Sequence, residues 1–516
     1  MPTVLALFSV VSALFQPDKE TLSHLFEYVL PMAISNTVWL MLGVAITTML
    51  LGVSLAWLTS VYEFPFCGFF AWALILPMAI PGYVMAFSLV GFFEYSGPLQ
   101  IMLREWFGSS AWFPDINSFG GVVIALSFAL YPYTYMMSRN AFLTQGRKSL
   151  EVGQSLGFSI KKSFWKICLP MARPWIIGGT LLVVMETLSD FGTVSVFNYD
   201  TLTSAIYKSW FDLYSLPAAL QVASVLLLFV VVITLLERKS RETQRFSQSS
   251  NALLTHDRIR LSRGFRWSAF SFCSFIFIAA FLLPCVRLLW WALPNLEIEI
   301  TSQLVSYILG SITLALTAMF LVAGTALLTA FAARTQNSSF SSVAVRISTL
   351  GYAVPGTVLA VGLFSPIALV DKWLAALGVN GPVLQGTLVV MMLAYTVRFM
   401  AVAFTPLENN LLRITPSIDC AAKSLGVSGF AMLKKIHLPM LKGGIATAMI
   451  LVFVDVMKEL PITLMTRPFG FDTLAVRIFE LSSEGLWERA ALPALAIVLV
   501  GLIPAFLLIR RSSGYG

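Results

Sequence analysis

The sequence predicts an all-α membrane protein of about 12 transmembrane helices in two parallel repeats. Three observations carry that expectation. Hydrophobic residues make up 58% of the 516-residue chain and charged residues only 12%, with a mean hydropathy of +0.82; a soluble chain carries about 25% charged residues. Apolar runs of spanning length, roughly 20 residues, recur along the whole chain. Between two such runs lies a polar stretch, Glu151 to Pro170 (EVGQSLGFSIKKSFWKICLP), and a second copy runs from Cys420 to Pro439 (CAAKSLGVSGFAMLKKIHLP). Placing Gly157 over Gly426 brings Ser155/Ser424, Leu156/Leu425, Ile167/Ile436, Leu169/Leu438 and Pro170/Pro439 into register without a gap.

In chain order, residues 3–15 are apolar but short: a clipped first span, or less readily a signal peptide, since no basic segment precedes them. Residues 16–35 are polar to amphipathic. Spans follow at about 37–61, 66–93, 119–143, 173–195 and 216–236. A basic linker, 238–267, separates a first repeat (1–237) from a second (268–516). The second repeat gives spans at about 268–291, 305–332, 343–370, 384–405, 441–464 and 490–509. Each repeat carries a Pro-Gly in an early span, Pro81-Gly82 and Pro355-Gly356, a pair that breaks or bends a helix. The same order and sense of spans in both halves make a parallel repeat, with a pathway expected between the halves.

Charge sets the orientation. Lys and Arg concentrate in 138–172, 237–267, 333–346, 406–442 and the tail Arg510-Arg511, whereas most acids lie in 94–118, 197–215, 292–303 and 465–489. The positive-inside rule then puts both termini in the cytoplasm and makes the net charge of +8 a membrane signal, not a nucleic-acid one. Five scattered cysteines and three scattered histidines show no pairing or metal spacing. No metal site is expected from them.

Three duplicated motifs carry function. The polar stretch fits a helix–turn–helix in which Gly157 and Gly426 supply a left-handed turn and Leu-Pro opens the next helix. One copy alone would read equally as an amphipathic helix on the inner leaflet, which Lys161, Lys162, Lys166, Lys434 and Lys435 would suit. Two copies at matched positions favour a docking element for another protein. Next, Glu186 and Asp190 match Asp455 and Glu459, each pair at i and i+4 and so on one helix face. Carboxylates within spans are costly and face a bundle interior or a water path. They are candidates for a negative translocation pathway, or for oxygen ligands to a hard cation; alternatively, Lys458 pairs with Asp455 or Glu459 and Asp190 caps a helix. Third, NYDTLTSAIYKSWF and GFDTLAVRIFELSS repeat Asp-Thr-Leu, matching Asp200 to Asp472 and Thr201 to Thr473 on the outer side. These read as a surface for a partner or as interfacial helices with none.

The polar stretch resembles the loop of ABC-importer permeases, whose pattern is E-A-A-x-x-x-G, nine variable residues, then I-x-L-P. Here it stands as EVGQSLG and CAAKSLG, with one residue fewer before Gly and with Cys420 in place of Glu151 after Asp419. The resemblance covers essentially the whole chain and implies the type I importer-permease fold, fused to double length. It implies that Glu151, Gly157, Asp419 and Gly426 belong to a coupling contact with two copies of an ATPase subunit. SDFGT and VDVMKELPITLMTRPFGFDTLAVRI resemble the ferric-iron branch of that family. This implies that Asp200, Thr201, Asp472 and Thr473 face an iron-loaded periplasmic binding protein. No Gly-x-x-x-x-Gly-Lys-Ser/Thr loop occurs. ATP is therefore expected to act on the partner, with no cofactor on this chain, no enzymatic site and a bacterial inner-membrane location among lipid. Other cargoes (thiamine, polyamine, phosphonate or sulfate) and a major-facilitator-type secondary transporter are the alternatives.

Overall fold

The computed structural model describes residues 2–15, 23, 25–110, 112–245, 258–336, 338–379 and 383–513. Among these the regular secondary structure is helical apart from a two-residue parallel pairing of Tyr62–Glu63 with Ile259–Arg260. Among the described residues nine helices are long and apolar enough to cross a membrane, or up to 11 if each of two bent pairs is one span. With the short apolar helix Pro2–Phe15, these are the segments expected from the sequence. Residues 246–257 of the expected basic linker lie outside the described residues.

The two repeats fold alike. In the first, three helices pack together, Leu30–Val61, Phe119–Ala141 and Leu169–Ser189. In the second, Ser302–Thr335, Leu388–Leu411 and Lys442–Lys458 do the same. Glycine permits the close approach. A Cβ on Gly52 would lie 2.9 Å from Thr134 Cβ, and one on Gly179 would lie 3.0 Å from Thr134 Cα. Small residues of this kind replace the hydrophobic drive that lipid does not provide. In Leu30–Val61, Thr37, Thr48 and Thr59 return their hydroxyls to the carbonyls of Ala33, Val44 and Leu55, so these three groups are satisfied within the helix.

The Pro-Gly pairs break their spans. Pro81 follows a 3-10 turn, Leu76–Ala79, and caps helix Gly82–Phe93; the arms Cys67–Ala79 and Gly82–Phe107 meet at 94°. Pro355 likewise follows Leu350–Ala353 and caps Gly356–Ala376. The residue ahead of each proline is extended, as the proline ring requires.

Compact units do not follow the sequence repeats. One unit comprises Met1–Leu25, Ala205–Leu227 and Ile300–Arg477; the other comprises Phe26–Ser204, Leu228–Glu299 and Ile478–Gly516. In the former, Pro2–Ser12 packs on Gly356–Ala376, close enough that a Cβ on Gly362 would lie 2.8 Å from the Ala6 carbonyl. In the latter, Leu283–Glu299 packs on Gly82–Phe93, with Gly91 beneath the Trp291 ring. Each repeat thus lends its first apolar helix to the broken helix of the other.

Candidate coupling loops and carboxylate sites

The polar stretches are helix–turn–helix elements. Helix Arg147–Ser155 stops at Gly157 (φ +79), whose N–H donates to the Gln154 carbonyl while Phe158 N–H donates to Gly153 O. Helix Pro416–Ser424 stops at Gly426 (φ +78), whose N–H donates to Lys423 O while Val427 N–H donates to Ala422 O. These paired bonds satisfy the last carbonyls of each helix through a left-handed residue that glycine adopts without strain. Nothing lies within 4 Å of a Cβ built on either glycine. Leu156 and Leu425, just ahead of the turns, are 63% and 82% exposed, and Gly157 and Gly426 are exposed with them. Each turn thus holds an apolar residue out at the crest of a polar loop.

Glu151 and Asp419, both expected in that contact, differ. Glu151 is exposed. Asp419 turns inward: Arg334 Nε donates to its Oδ2 at 2.8 Å, and His437 Nε2 lies 2.9 Å from Oδ1. Burial would raise its pKa, but hydrogen bonds from His437 and Arg334 and the Arg334 charge outweigh that and hold it below the usual carboxylate range. The exposed position matching Glu151 is Cys420, so the two surfaces are chemically unequal.

Asp190 and Glu459 occupy equivalent breaks. Asp190 ends Leu169–Ser189 and accepts from Thr193 Oγ1 (2.8 Å) and Val194 N–H (3.2 Å) at the start of Gly192–Val196. Glu459 ends Lys442–Lys458 and accepts from Ile462 N–H (3.3 Å) in Pro461–Thr466. Each carboxylate also meets the broken helix of its own repeat. A Cβ on Gly82 would lie 3.1 Å from Asp190 Oδ2, and one on Gly356 would lie 2.7 Å from Glu459 Oε1. These helix starts favour negative charge.

Glu459 is moreover ion-paired, 3.4 Å from Arg398 Nε, whose Nη1 donates to Val354 O. Arg398 is thus one ionic partner of Glu459, while Asp455 acts electrostatically on the adjacent Lys458. Asp190 caps a helix. Glu186 and Asp455, one turn earlier, are half-buried. Arg398 was legible as a lone ionisable residue inside an apolar span.

At the other end, Leu202 N–H donates to Thr37 Oγ1 and Leu474 N–H to Ser311 Oγ. The Asp-Thr-Leu repeat therefore pins each short helix, Leu202–Phe211 and Leu474–Ser483, to the long helix of its repeat. Thr201 and Thr473 are buried at these starts, so their side chains do not form an outer surface. Asp200 and Asp472 remain half-buried beside them; Asp472 pairs with Arg467, next to a fully exposed Phe469.

Broken spans, paired exposed loops and a duplicated three-helix core define a multi-pass membrane permease. Residues 49–242 match the family described as binding-protein-dependent transport system inner membrane component. A Haemophilus influenzae Fe(3+)-transport system permease protein, FbpB 2, is 28% identical over 480 residues, covering 92% of this chain and 89% of that one. A putative 2-aminoethylphosphonate transport system permease protein, PhnV, of Salmonella typhimurium is 31% identical over 180 residues, 30% of this chain and 67% of its own. The molybdate/tungstate permease WtpB of Thermococcus kodakarensis is 28% identical over 214 residues, 40% of this chain and 79% of its own. The chain belongs to the binding-protein-dependent inner-membrane permease family.

Proposed function

We propose that this chain is the permease of an ATP-driven ferric-iron importer, with one polypeptide supplying both halves of the pore. Two copies of an ATPase subunit dock on the exposed turns around Gly157 and Gly426, and an iron-loaded periplasmic binding protein docks at the opposite end, near Asp200 and Asp472. The chain has no nucleotide site of its own and binds no cofactor; both termini are cytoplasmic. The observation that carries this reading is the duplicated exposed turn, with the same hydrogen bonds and the same left-handed glycine in each repeat. A major-facilitator-type carrier has no use for it.

Iron is favoured because the likeness to the ferric-iron permease runs through 92% of this chain, whereas that to the phosphonate permease covers 30%. Glu186 and Asp455 are the acids proposed to line the pathway. The second reading keeps the fold and changes the cargo to an oxyanion such as a phosphonate or molybdate. It draws on the same relatives and on Arg398, a cation inside a span. Growth of a strain lacking only this chain separates them. Loss of growth on ferric iron as sole iron source, restored by the chain, supports iron. Restoration by a chain carrying both Glu186→Ala and Asp455→Ala removes the acidic pathway, and unimpaired growth of the deletion strain removes the iron reading.

A further inference from the structure

Arg334 closes the last turn of the long core helix Ser302–Thr335. Its guanidinium makes three bonds to the segment leading into the second coupling helix. Nη1 donates to Leu411 O at 2.7 Å, Nη2 to Ile414 O at 2.8 Å, and Nε to Asp419 Oδ2 at 2.8 Å. The other Asp419 oxygen faces His437 Nε2 at 2.9 Å, from the turn that follows the loop. An ionised carboxylate only accepts, so Nε2 carries the hydrogen. His437 is fully buried, its ring against Phe331 one turn before Arg334. One planar fork thus ties the end of helix Leu388–Leu411, the approach to the coupling helix and its first-turn acid to the core. A lysine cannot reproduce that geometry.

The first repeat lacks these groups. Thr37 and Ser311 are equivalent, since each accepts the matching N–H of the Asp-Thr-Leu segment. Ser60 lies as far past Thr37 as Arg334 lies past Ser311. Leu150 and Cys168 stand where Asp419 and His437 stand, both buried in an apolar cluster with Trp57 and Phe142. The first coupling helix buries Leu150 in that apolar cluster, with Ser149 Oγ donating to Met171 Sδ at 3.2 Å; the second is held by the charge-assisted bonds of Asp419, which fix its orientation.

We propose that Arg334, Asp419 and His437 form a clasp that makes the second coupling helix move as one body with the core helix Ser302–Thr335, with Arg334 as the positioning residue. The proposal rests on the reading of Pro416–Ser424 as an ATPase-docking helix. Cys420, exposed on that helix, is a native handle for a nitroxide label once the half-buried Cys285 is replaced by serine, whereas Cys67, Cys168 and Cys273 are buried. In the full chain, Arg334→Gln is expected to raise the mobility of the label at Cys420. A label on Glu151→Cys in a Cys420→Ser chain is expected to show no change. In the assembled transporter, cargo moved per ATP hydrolysed should fall by about tenfold, within the usual range of a coupling between sites, and Arg334→Lys should not restore it. Should Arg334→Gln fail to fold, His437→Leu removes one donor into apolar surroundings and is read the same way. An unchanged label at Cys420, or equal loosening at both positions, overturns the clasp. Failure of the unaltered chain to bind any ATPase would instead overturn the docking reading, while the label result still judges the clasp.

Discussion

Glu459 and Arg398 face each other 3.4 Å apart from two helices of the second repeat, each side chain only 8% exposed. In the first repeat the position of Arg398 is taken by Ala129, which stands as far ahead of Asp190 as Arg398 stands ahead of Glu459, and Asp190 accepts hydrogen bonds from Thr193 and Val194. One duplicated position thus holds a neutralised charge and the other a capped carboxylate. Removing one member of a buried pair costs about 3–5 kcal/mol, because the other is left uncompensated. Arg398→Leu is therefore expected to lower the thermal midpoint in detergent sharply, and adding Glu459→Gln to recover much of the loss. A double variant as unstable as the sum of its parts would rule out the pairing as the source.

The turn at Gly157 is open in space but not in conformation. A side chain meets nothing within 4 Å, yet φ is +79. Left-handed backbone costs most L-residues about 1–2 kcal/mol and asparagine less. Gly157→Val should weaken ATPase co-purification by about tenfold, the factor that about 1.4 kcal/mol gives, while Gly157→Asn stays close to the unaltered chain. Equal recovery with valine and asparagine would show that the turn conformation does not matter to docking.

Much of this was readable from residue patterns. The apolar runs, the Pro-Gly breaks and the glycine turns each follow from local chemistry, and each appears where the sequence put it. The environments of the acids were not readable. Glu459 meets Arg398, and Asp419 meets Arg334, across separations that no local pattern encodes. Thr201 and Thr473 were expected at an outer surface from the repeated Asp-Thr-Leu and the family resemblance, but the helix that follows each is pinned to Thr37 or Ser311 and buries it. The interleaving of the compact units was likewise hidden, since a short apolar helix does not announce which repeat it packs on.

Asp419 gives a pH signature. Burial opposes its ionisation, but His437 and Arg334 prevail and hold its folded pKa below that of a free aspartate. A depressed carboxylate contributes stability above its unfolded pKa and loses it as pH falls through the folded value. Asp419→Asn should therefore leave the loop easier to cleave by limited proteolysis at neutral pH. The difference from the unaltered chain should hold down to about pH 4 and close below it. A difference that closes between neutral pH and pH 5 would point to another group.

Gly52 lets two helices touch at Thr134. A Cβ there would stand 2.9 Å from both Thr134 Cβ and the Tyr135 backbone nitrogen. Backbone cannot yield as a side chain can, so Gly52→Leu should separate the helices and cost about 1–3 kcal/mol or more. The check is the thermal midpoint in detergent, with Gly68→Leu, where nothing lies within 4 Å, as the control expected to change little.

The central claim is that the two exposed turns are the grips of a separate ATPase. It is tested most directly by purifying the detergent-solubilised chain, unaltered and carrying Gly157→Trp with Gly426→Trp, from cells that make the whole system. The account predicts that the ATPase accompanies the unaltered chain and is lost from the variant, with both chains reaching the membrane in equal amount. Equal recovery of the ATPase with both chains would contradict it.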